Sequence, residues 1–538
     1  MIDPTTSAAA DTIVRGQADQ IAPAFLPLPG PGCAGPPAEA PAGAGVPTPK
    51  GPAPAGAAAE PPLDSTQNNC VPLVDSVSRR RIRWAARALL WRASLLKSVR
   101  CCGAQLRAVR DGSQVIDRHA VEVRRQVGTD GQARAGFGGL MTCGSPWACP
   151  RCSAVIAATR SVEIGNAVRA CQSAGGTVYM LTLTLRHRAT DQLSALFELL
   201  NKGWRGVTGG HAWTGVAARW VTKRGRQVWR PGEIGDRDRF GVAGVVRVVE
   251  ATVSRPGSGG HGWHLHIHAL VFLTGDASAG LCADWADRVT GLTGCAELPS
   301  GEWIGRAVLA ARIVERWASA VHRAGGRVPL GAACDLRRVE DQGAEFLGGY
   351  LTKSTLDVAA RLGAEIAAGG ETKVGSGRDQ LTPFELLREL AQDGPDFGVR
   401  TPRRWALWED GTGIVDIDTG EITEVFSPGL WRLWHEWEVA TRGRRAITWS
   451  RPRSDDAHAA PLWSEILRAR GRSAEDSDET VAEVELHGIV LGEISRSEWF
   501  GRLVWRPSWL VAVIEAAERG SSDVRRWMDD NGITYASR

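Results

Sequence analysis

Tyrosine and lysine are the scarce residues of this 538-residue chain: three Tyr stand against 22 Trp, and six Lys against 58 Arg. Longer patterns are missing altogether. No apolar stretch reaches the roughly 18 residues that a membrane-spanning helix requires, and no signal-peptide pattern is present, so a soluble cytoplasmic protein without a membrane partner is expected. No GxxxxGK[ST] loop occurs, which predicts no nucleotide cofactor. There are no internal repeats, which excludes a solenoid. The eleven cysteines are scattered and follow no secretion pattern, so a reducing compartment is expected in place of a disulfide framework.

What is present divides unevenly along the chain. Residues 1–75 are rich in Pro, Ala and Gly and poor in aromatics, as in 27–32 and 51–59, and are expected to be disordered. From Arg79 to Arg110 there are ten basic residues and no acid, interleaved with Trp84, Leu89, Leu90, Trp91 and Leu95. This pattern predicts an amphipathic basic helix, with Arg79, Arg80, Arg81, Arg83 and Arg87 as candidate contacts to DNA phosphates. Residues 455–538 carry sixteen acids against ten bases and predict a small helical accessory module for protein contacts. The length and a hydrophobic content of 43% allow two or three domains with real cores.

Residues 263–272 read Trp-His-Leu-His-Ile-His-Ala-Leu-Val-Phe. In a strand, this alternation sends His264, His266 and His268 to one face and Leu265 and Ile267 to the other. Convergent imidazoles on one face suit a divalent metal. Upstream, 240–254 is a second β-rich run, and the Gly/Pro-rich 255–262 is a breaker that joins antiparallel strands. A hairpin symmetric about 258 and 259 sets Glu250 opposite His266 or His268, adding a carboxylate to the imidazoles.

Tyr350 and Lys353, from two rare residue types, lie three apart and would share a helix face. A phenol titrating near 10 is a poor nucleophile at neutral pH until cations stabilise the phenolate or the group it attacks. Cys143, Cys149 and Cys152 form a partial zinc pattern whose Cys-Pro-Arg-Cys half suits a knuckle. Cys102 or Cys101 upstream, or else His119, would complete a closed tetrahedral site.

Strand runs at 177–187, 240–254, 263–274 and 332–338 alternate with helical patterns at 191–204, 279–292 and 302–324, and a further helix carries Tyr350. That order predicts an α+β fold, a central antiparallel sheet flanked by helices. The expected divisions are the tail at 1–75, a basic-helix and Cys-rich region at 76–170, a catalytic domain at 171–450 and the acidic module at 451–538.

Three stretches, Leu-Thr-Leu-Thr-Leu-Arg-His (181–187), Trp-His-Leu-His-Ile-His-Ala-Leu (263–270) and Tyr-Leu-Thr-Lys (350–353), fall in the order and spacing of motifs of a known family. The chain resembles the rolling-circle plasmid replication initiators of the HUH (His-hydrophobic-His) endonuclease superfamily, in particular those of plasmids and integrative elements of high-GC bacteria. Further matching stretches are 143–152, 382–387 and 443–450, and the resemblance spans roughly residues 95 to 450. It implies the HUH fold, with metal ligands on central strands and the tyrosine on a flanking helix. It further implies that His266 and His268 hold Mg²⁺ or Mn²⁺ with Glu250 as third ligand, and that Tyr350, assisted by Lys353, attacks one DNA phosphodiester. The products would be a 5′-phosphotyrosine and a free 3′-hydroxyl primer. The partners implied are the double-strand origin, its single-stranded nick site, host helicase and polymerase, with a homodimer left open.

Two positions depart from or blur the family pattern. Single-tyrosine initiators carry a Glu four residues before the Tyr, thought to direct water at termination; here Phe346 stands there, with Glu345 five before, which on a regular helix points away from the Tyr face. Glu340 or Asp341 are alternative carboxylates for that step. His264 occupies a place where the family commonly has a His outside the ligand pair. The rival readings are a single-tyrosine HUH transposase or relaxase and, from another class, a non-catalytic zinc-dependent DNA-binding protein. The repeating βα units or following Asp-His that a metallohydrolase would need are missing.

Overall fold

The computed structural model describes residues 76–111, 113–116, 118–128, 131–280, 301–329, 334–339, 380–392, 405–407, 413–416, 422–424, 428–451, 459–471 and 488–538. The tail at 1–75, most of the helix expected at 279–292, and Glu340, Asp341, Glu345, Phe346, Tyr350 and Lys353 lie outside the described residues.

In chain order the principal helices are α1 (Ser76–Ala93), α2 (Pro150–Ser173), α3 (Leu193–Val207), α4 (Gly301–Arg323), α5 (Pro383–Gln392), α6 (Pro428–Thr441), α7 (Ala460–Ala469), α8 (Pro507–Arg519) and α9 (Ser521–Asp530). The principal strands are β1 (Ala120–Val127), β2 (Ala133–Gly138), β3 (Thr177–Thr184), β4 (Arg219–Lys223), β5 (Arg226–Arg230), β6 (Val242–Ser254), β7 (Trp263–Leu273), β8 (Cys334–Arg338), β9 (Gln380–Leu381), β10 (Ile447–Trp449), β11 (Ile489–Ser495) and β12 (Tyr535–Ser537). The fold is α+β, as expected, and its central sheet is antiparallel throughout, in the order β8-β3-β7-β6-β9 with β10 also on β6.

Both faces of this sheet are covered over most of its length, which is why β6 and β7 are apolar on both sides away from the His264–His268 stretch and its partners on β6. Leu181, Leu183, Val249, Leu265 and Ile267 point to one face and join Phe197 of α3, Trp317 of α4, Phe384 of α5 and Trp434 of α6 in the main core. On the other face Val178, Val246, Val248, Leu270 and Phe272 meet Ile164 and Val168 of α2 and Trp463 of α7. The α7 helix lies so close that a Cβ on Gly244 would stand 2.2 Å from the Trp463 ring, so only glycine admits it. Alternation then carries His264, His266 and His268 onto this second face, beyond the helices.

A second sheet corrects the expected module boundaries. Its order is β12-β11-β1-β2, so the C-terminal strand β11 pairs with β1, more than 360 residues upstream. Around it Trp84 and Trp91 of α1 pack with Val121, Ile494, Trp499, Val513 and Met528. The stretch 451–538 is therefore not a helical module on its own. Part of it shares a sheet and a core with residues 84–140, and α7 is tied to the central domain by buried Arg470, which reaches Glu163 of α2 at 3.2 Å. A burial of apolar strand that neither segment could achieve alone explains the pairing.

The basic helix is corrected too. Helix α1 forms as predicted, but its Trp84, Ala88 and Trp91 enter the second core while Ala86, Leu89 and Leu90 enter the first. Clamped between two cores, it cannot offer a continuous cationic face. Arg87 is completely buried, Arg80 is held in a fork by Glu518 of α8 at 2.5 and 2.8 Å, Arg83 is half-buried and Arg81 is exposed. Arg79 lies within α1, but its side chain is outside what is described.

Candidate metal centre

Backbone register assembles the first candidate site. In the β6–β7 hairpin Glu250 pairs with His266, one of the two registers the sequence allowed, and His268 pairs with Val248. Strand β3, which carries the first motif, flanks β7 on its other side, so that Thr184 faces His266 and Thr182 faces His268. Side chains of Glu250, His266 and His268 converge: each Nε2 lies 3.0 Å from the same carboxylate oxygen, Oε2 of Glu250. The three are 6–15% exposed, enough to reach solvent on one side while most of the group is dry.

The donor set fits a divalent cation. Two imidazole nitrogens and one carboxylate oxygen lie within 4.8 Å of one another, and three protein ligands leave coordination positions open, the arrangement of catalytic and not structural centres. Nδ1 of His268 is 3.0 Å from Thr182 Oγ1, a hydroxyl that can accept a hydrogen bond from Nδ1–H when Nε2 is engaged. Nδ1 of His266 is buried without a partner. Thr182 lies in a motif that sequence reasoning used for the resemblance, but its role beside His268 was missed; the signal was its alternation in Leu-Thr-Leu-Thr-Leu.

His264 stands apart from the trio. Its Nδ1 is 2.8 Å from His187 Nε2, and His187 Nδ1 is 3.0 Å from the His261 carbonyl. A carbonyl can only accept, so His187 donates from Nδ1 and His264 donates to His187, leaving a lone pair on His264 Nε2. Burial, reinforced by the neighbouring His266 and His187, lowers the His264 pKa to about 4. It is therefore neutral at physiological pH.

The second candidate site is made of sulfur. Cys143, Cys149 and Cys152 meet Cys102 and not Cys101: Cys102 Sγ lies 3.6 Å from Cys152 and 3.5 Å from Cys149, and Cys143 lies 3.7 Å from Cys152. Four sulfurs around a tetrahedral zinc at about 2.3 Å stand roughly 3.8 Å apart, so these separations match that cage and are far too long for a disulfide. Cys149 and Cys152 begin α2, with Pro150 at its first turn, and Cys102 follows the short helix Lys97–Cys101. Arg87 approaches Cys149 Sγ at 3.4 Å and also bonds the Val99 carbonyl, while Arg151 stands 4.0 Å from Cys102 Sγ. Burial pushes the Arg87 pKa down, but the surrounding cysteines outweigh it and hold it above the ordinary guanidinium value. Arg87, expected to meet DNA, is instead a buried cation beside the four cysteine sulfurs.

Tyr350 and Lys353 lie outside the described residues, so nothing places them relative to Glu250.

Comparison with known proteins bears on the motifs. A Streptomyces lividans protein named Protein rep is 32% identical over 324 residues, covering 58% of this chain and 63% of that protein. The chain resembles a replication initiator. A Streptomyces cyanogenus protein named neomycin resistance protein is 35% identical over 175 residues, 31% of this chain and 38% of its own length, and its name says nothing about these sites. The chain thus spans less than two thirds of the length of either relative. No family model matches the chain, and no solved structure does. Among the described residues, no helix is long and apolar enough to cross a membrane.

Proposed function

We propose that this protein starts rolling-circle replication of a plasmid by nicking one strand at the double-strand origin, within an HUH endonuclease fold. The observation that carries the reading is the convergence of Glu250, His266 and His268 at one point on an antiparallel sheet. The likeness to Protein rep supports it.

Glu250, His266 and His268 would hold Mg²⁺ or Mn²⁺, whose chemistry is Lewis-acid polarisation of the scissile phosphoryl group. Tyr350 Oη attacks phosphorus; the new Tyr–O–P bond forms as the P–O3′ bond breaks. The electron pair leaves on the 3′-oxygen, which takes a proton, while the phenol proton passes to solvent. Lys353 steadies the phenolate. The bond energy is kept in the phosphotyrosine, so a 3′-hydroxyl can later attack it and reseal the strand without a nucleotide. Cys102, Cys143, Cys149 and Cys152 would hold a structural Zn²⁺.

Incubation with supercoiled plasmid bearing the cognate origin tests this. Nicking should require Mg²⁺ or Mn²⁺ and vanish in His266→Ala and His268→Ala, with Glu250→Ala weaker but similar in effect. Nicking that persists in EDTA would refute the metal role.

A further inference from the structure

Between α3 and β6 the chain leaves the central sheet and returns as β4 and β5, a ribbon whose residues are all exposed except half-buried Val221. An isolated two-stranded ribbon is marginal in water and needs something to hold it. At its base Val216 and Glu233 exchange backbone hydrogen bonds of 2.8 and 2.9 Å. Midway, Trp220 and Trp229 pair directly across the strands with ring centroids 5.3 Å apart, and Thr222 accepts from Gln227 on the same face. That face is the zipper.

The opposite face has a different composition. Alternation places Arg219, Lys223, Arg226 and Arg230 there, around Val221 and Val228. From 219 to 230 there are five basic residues and no acid. Among the described residues none of these five cations is engaged in an ion pair, in contrast to Arg80 and Arg87 of α1. The fifth, Arg224, stands at the tip with φ 51°, beside Gly225 at φ 77°, both left-handed as a type I′ turn requires. Asn or Gly would fit that corner better, since a left-handed backbone costs an arginine roughly 1 kcal/mol. Charge is therefore present at the tip against the local conformational preference.

We propose that the ribbon Arg219–Arg230 binds duplex DNA, seated in the major groove by its cationic face. The groove is about 12 Å wide and admits a two-stranded β-ribbon. Arg219, Lys223, Arg226 and Arg230 meet phosphates along its walls, and Val221 and Val228 face apolar base edges. The proposal rests on the reading of the chain as a protein that acts on DNA, and it moves duplex recognition from α1 to this ribbon.

The test compares full-length wild type with the variant Arg219→Ala/Lys223→Ala/Arg226→Ala/Arg230→Ala by fluorescence anisotropy. The probes are a mixed-sequence duplex of roughly 40 base pairs and one of its strands alone, between about 50 and 200 mM salt. The duplex affinity of the variant should fall at least tenfold near 100 mM, and its log affinity against log salt should be shallower by about three to four. Thermal unfolding should not change, because the substituted side chains are exposed. Equal duplex affinity and slope in both proteins would overturn the proposal while leaving the DNA reading intact. A loss on the single strand alone would also overturn it. Failure of the wild type to bind either probe would remove the DNA reading itself.

Discussion

Thr182→Val is the substitution whose size follows most directly from the geometry. It is close to isosteric and removes only the hydroxyl 3.0 Å from His268 Nδ1. His268 can offer Nε2 to a cation only with its proton on Nδ1, and Thr182 Oγ1 then accepts that proton's hydrogen bond. A ring that ligates a cation is a charge-assisted donor, worth about 1.5–3 kcal/mol, whereas in the ion-free protein the same contact is neutral and worth about 1 kcal/mol. Valine removes both. The difference of roughly 1 to 1.5 kcal/mol should weaken Mn²⁺ binding about tenfold, at the low end of what outer partners of metal ligands contribute. Isothermal titration of Mn²⁺ into the full-length protein measures it, with His268→Ala as the non-binding reference. Nicking at saturating Mn²⁺ should be nearly unchanged, since Thr182 does not touch the reacting groups. A Mn²⁺ affinity within twofold of the wild type would refute the reasoning.

Two further outcomes concern the surrounding fold. Cys149→Ser should release about one zinc per chain, lower the melting temperature and expose a previously matched Arg87, read by metal analysis and calorimetry; purified wild type free of zinc would end that assignment. Glu438, fully buried and bonded by Ser94 Oγ at 2.5 Å and Leu95 N at 2.8 Å, has its pKa raised by burial to about 6. A raised carboxyl favours the folded state below its unfolded value near 4.5, and that contribution is lost as pH rises through about 6, a change of roughly 2 kcal/mol. On going from pH 4 to 7.5 in denaturant titrations, the unfolding free energy of Glu438→Gln should therefore change in the stabilising direction relative to the wild type by about that amount; an identical pH dependence would contradict it.

The β6–β7 hairpin could be read in advance because its information is local. A Gly/Pro breaker, strict His alternation and one carboxylate at the mirrored distance are enough to set Glu250 opposite His266 or His268, and the hairpin takes the first of these. Cys102 was among the alternatives for the fourth sulfur of the cluster for a similar reason, since a tetrahedral site needs a fourth donor and few thiols lie upstream. What escaped depends on contacts distant in the chain. Nothing in 451–538 announces that β11 will join β1, and a charge count cannot distinguish an arginine facing solvent from one facing buried cysteines. Arg87 did carry a sign: its neighbours Ala86, Ala88, Leu89 and Leu90 place it amid apolar positions of α1. The ribbon at 219–230 also carries a local signature, Trp-Val and Val-Trp flanking an Arg-Gly turn, which the denser basic run at 79–110 outweighs in a charge count.

Capture of the covalent intermediate tests the central claim most directly. Full-length protein incubated with Mn²⁺ and origin-bearing supercoiled plasmid, then denatured and digested with nuclease, should yield one peptide carrying a nucleotide through a 5′-phosphate, and mass spectrometry should place it on Tyr350. Tyr350→Phe should give no adduct while binding the origin normally. An adduct on another residue, an adduct formed by Tyr350→Phe, or nicking without any covalent link would contradict the account.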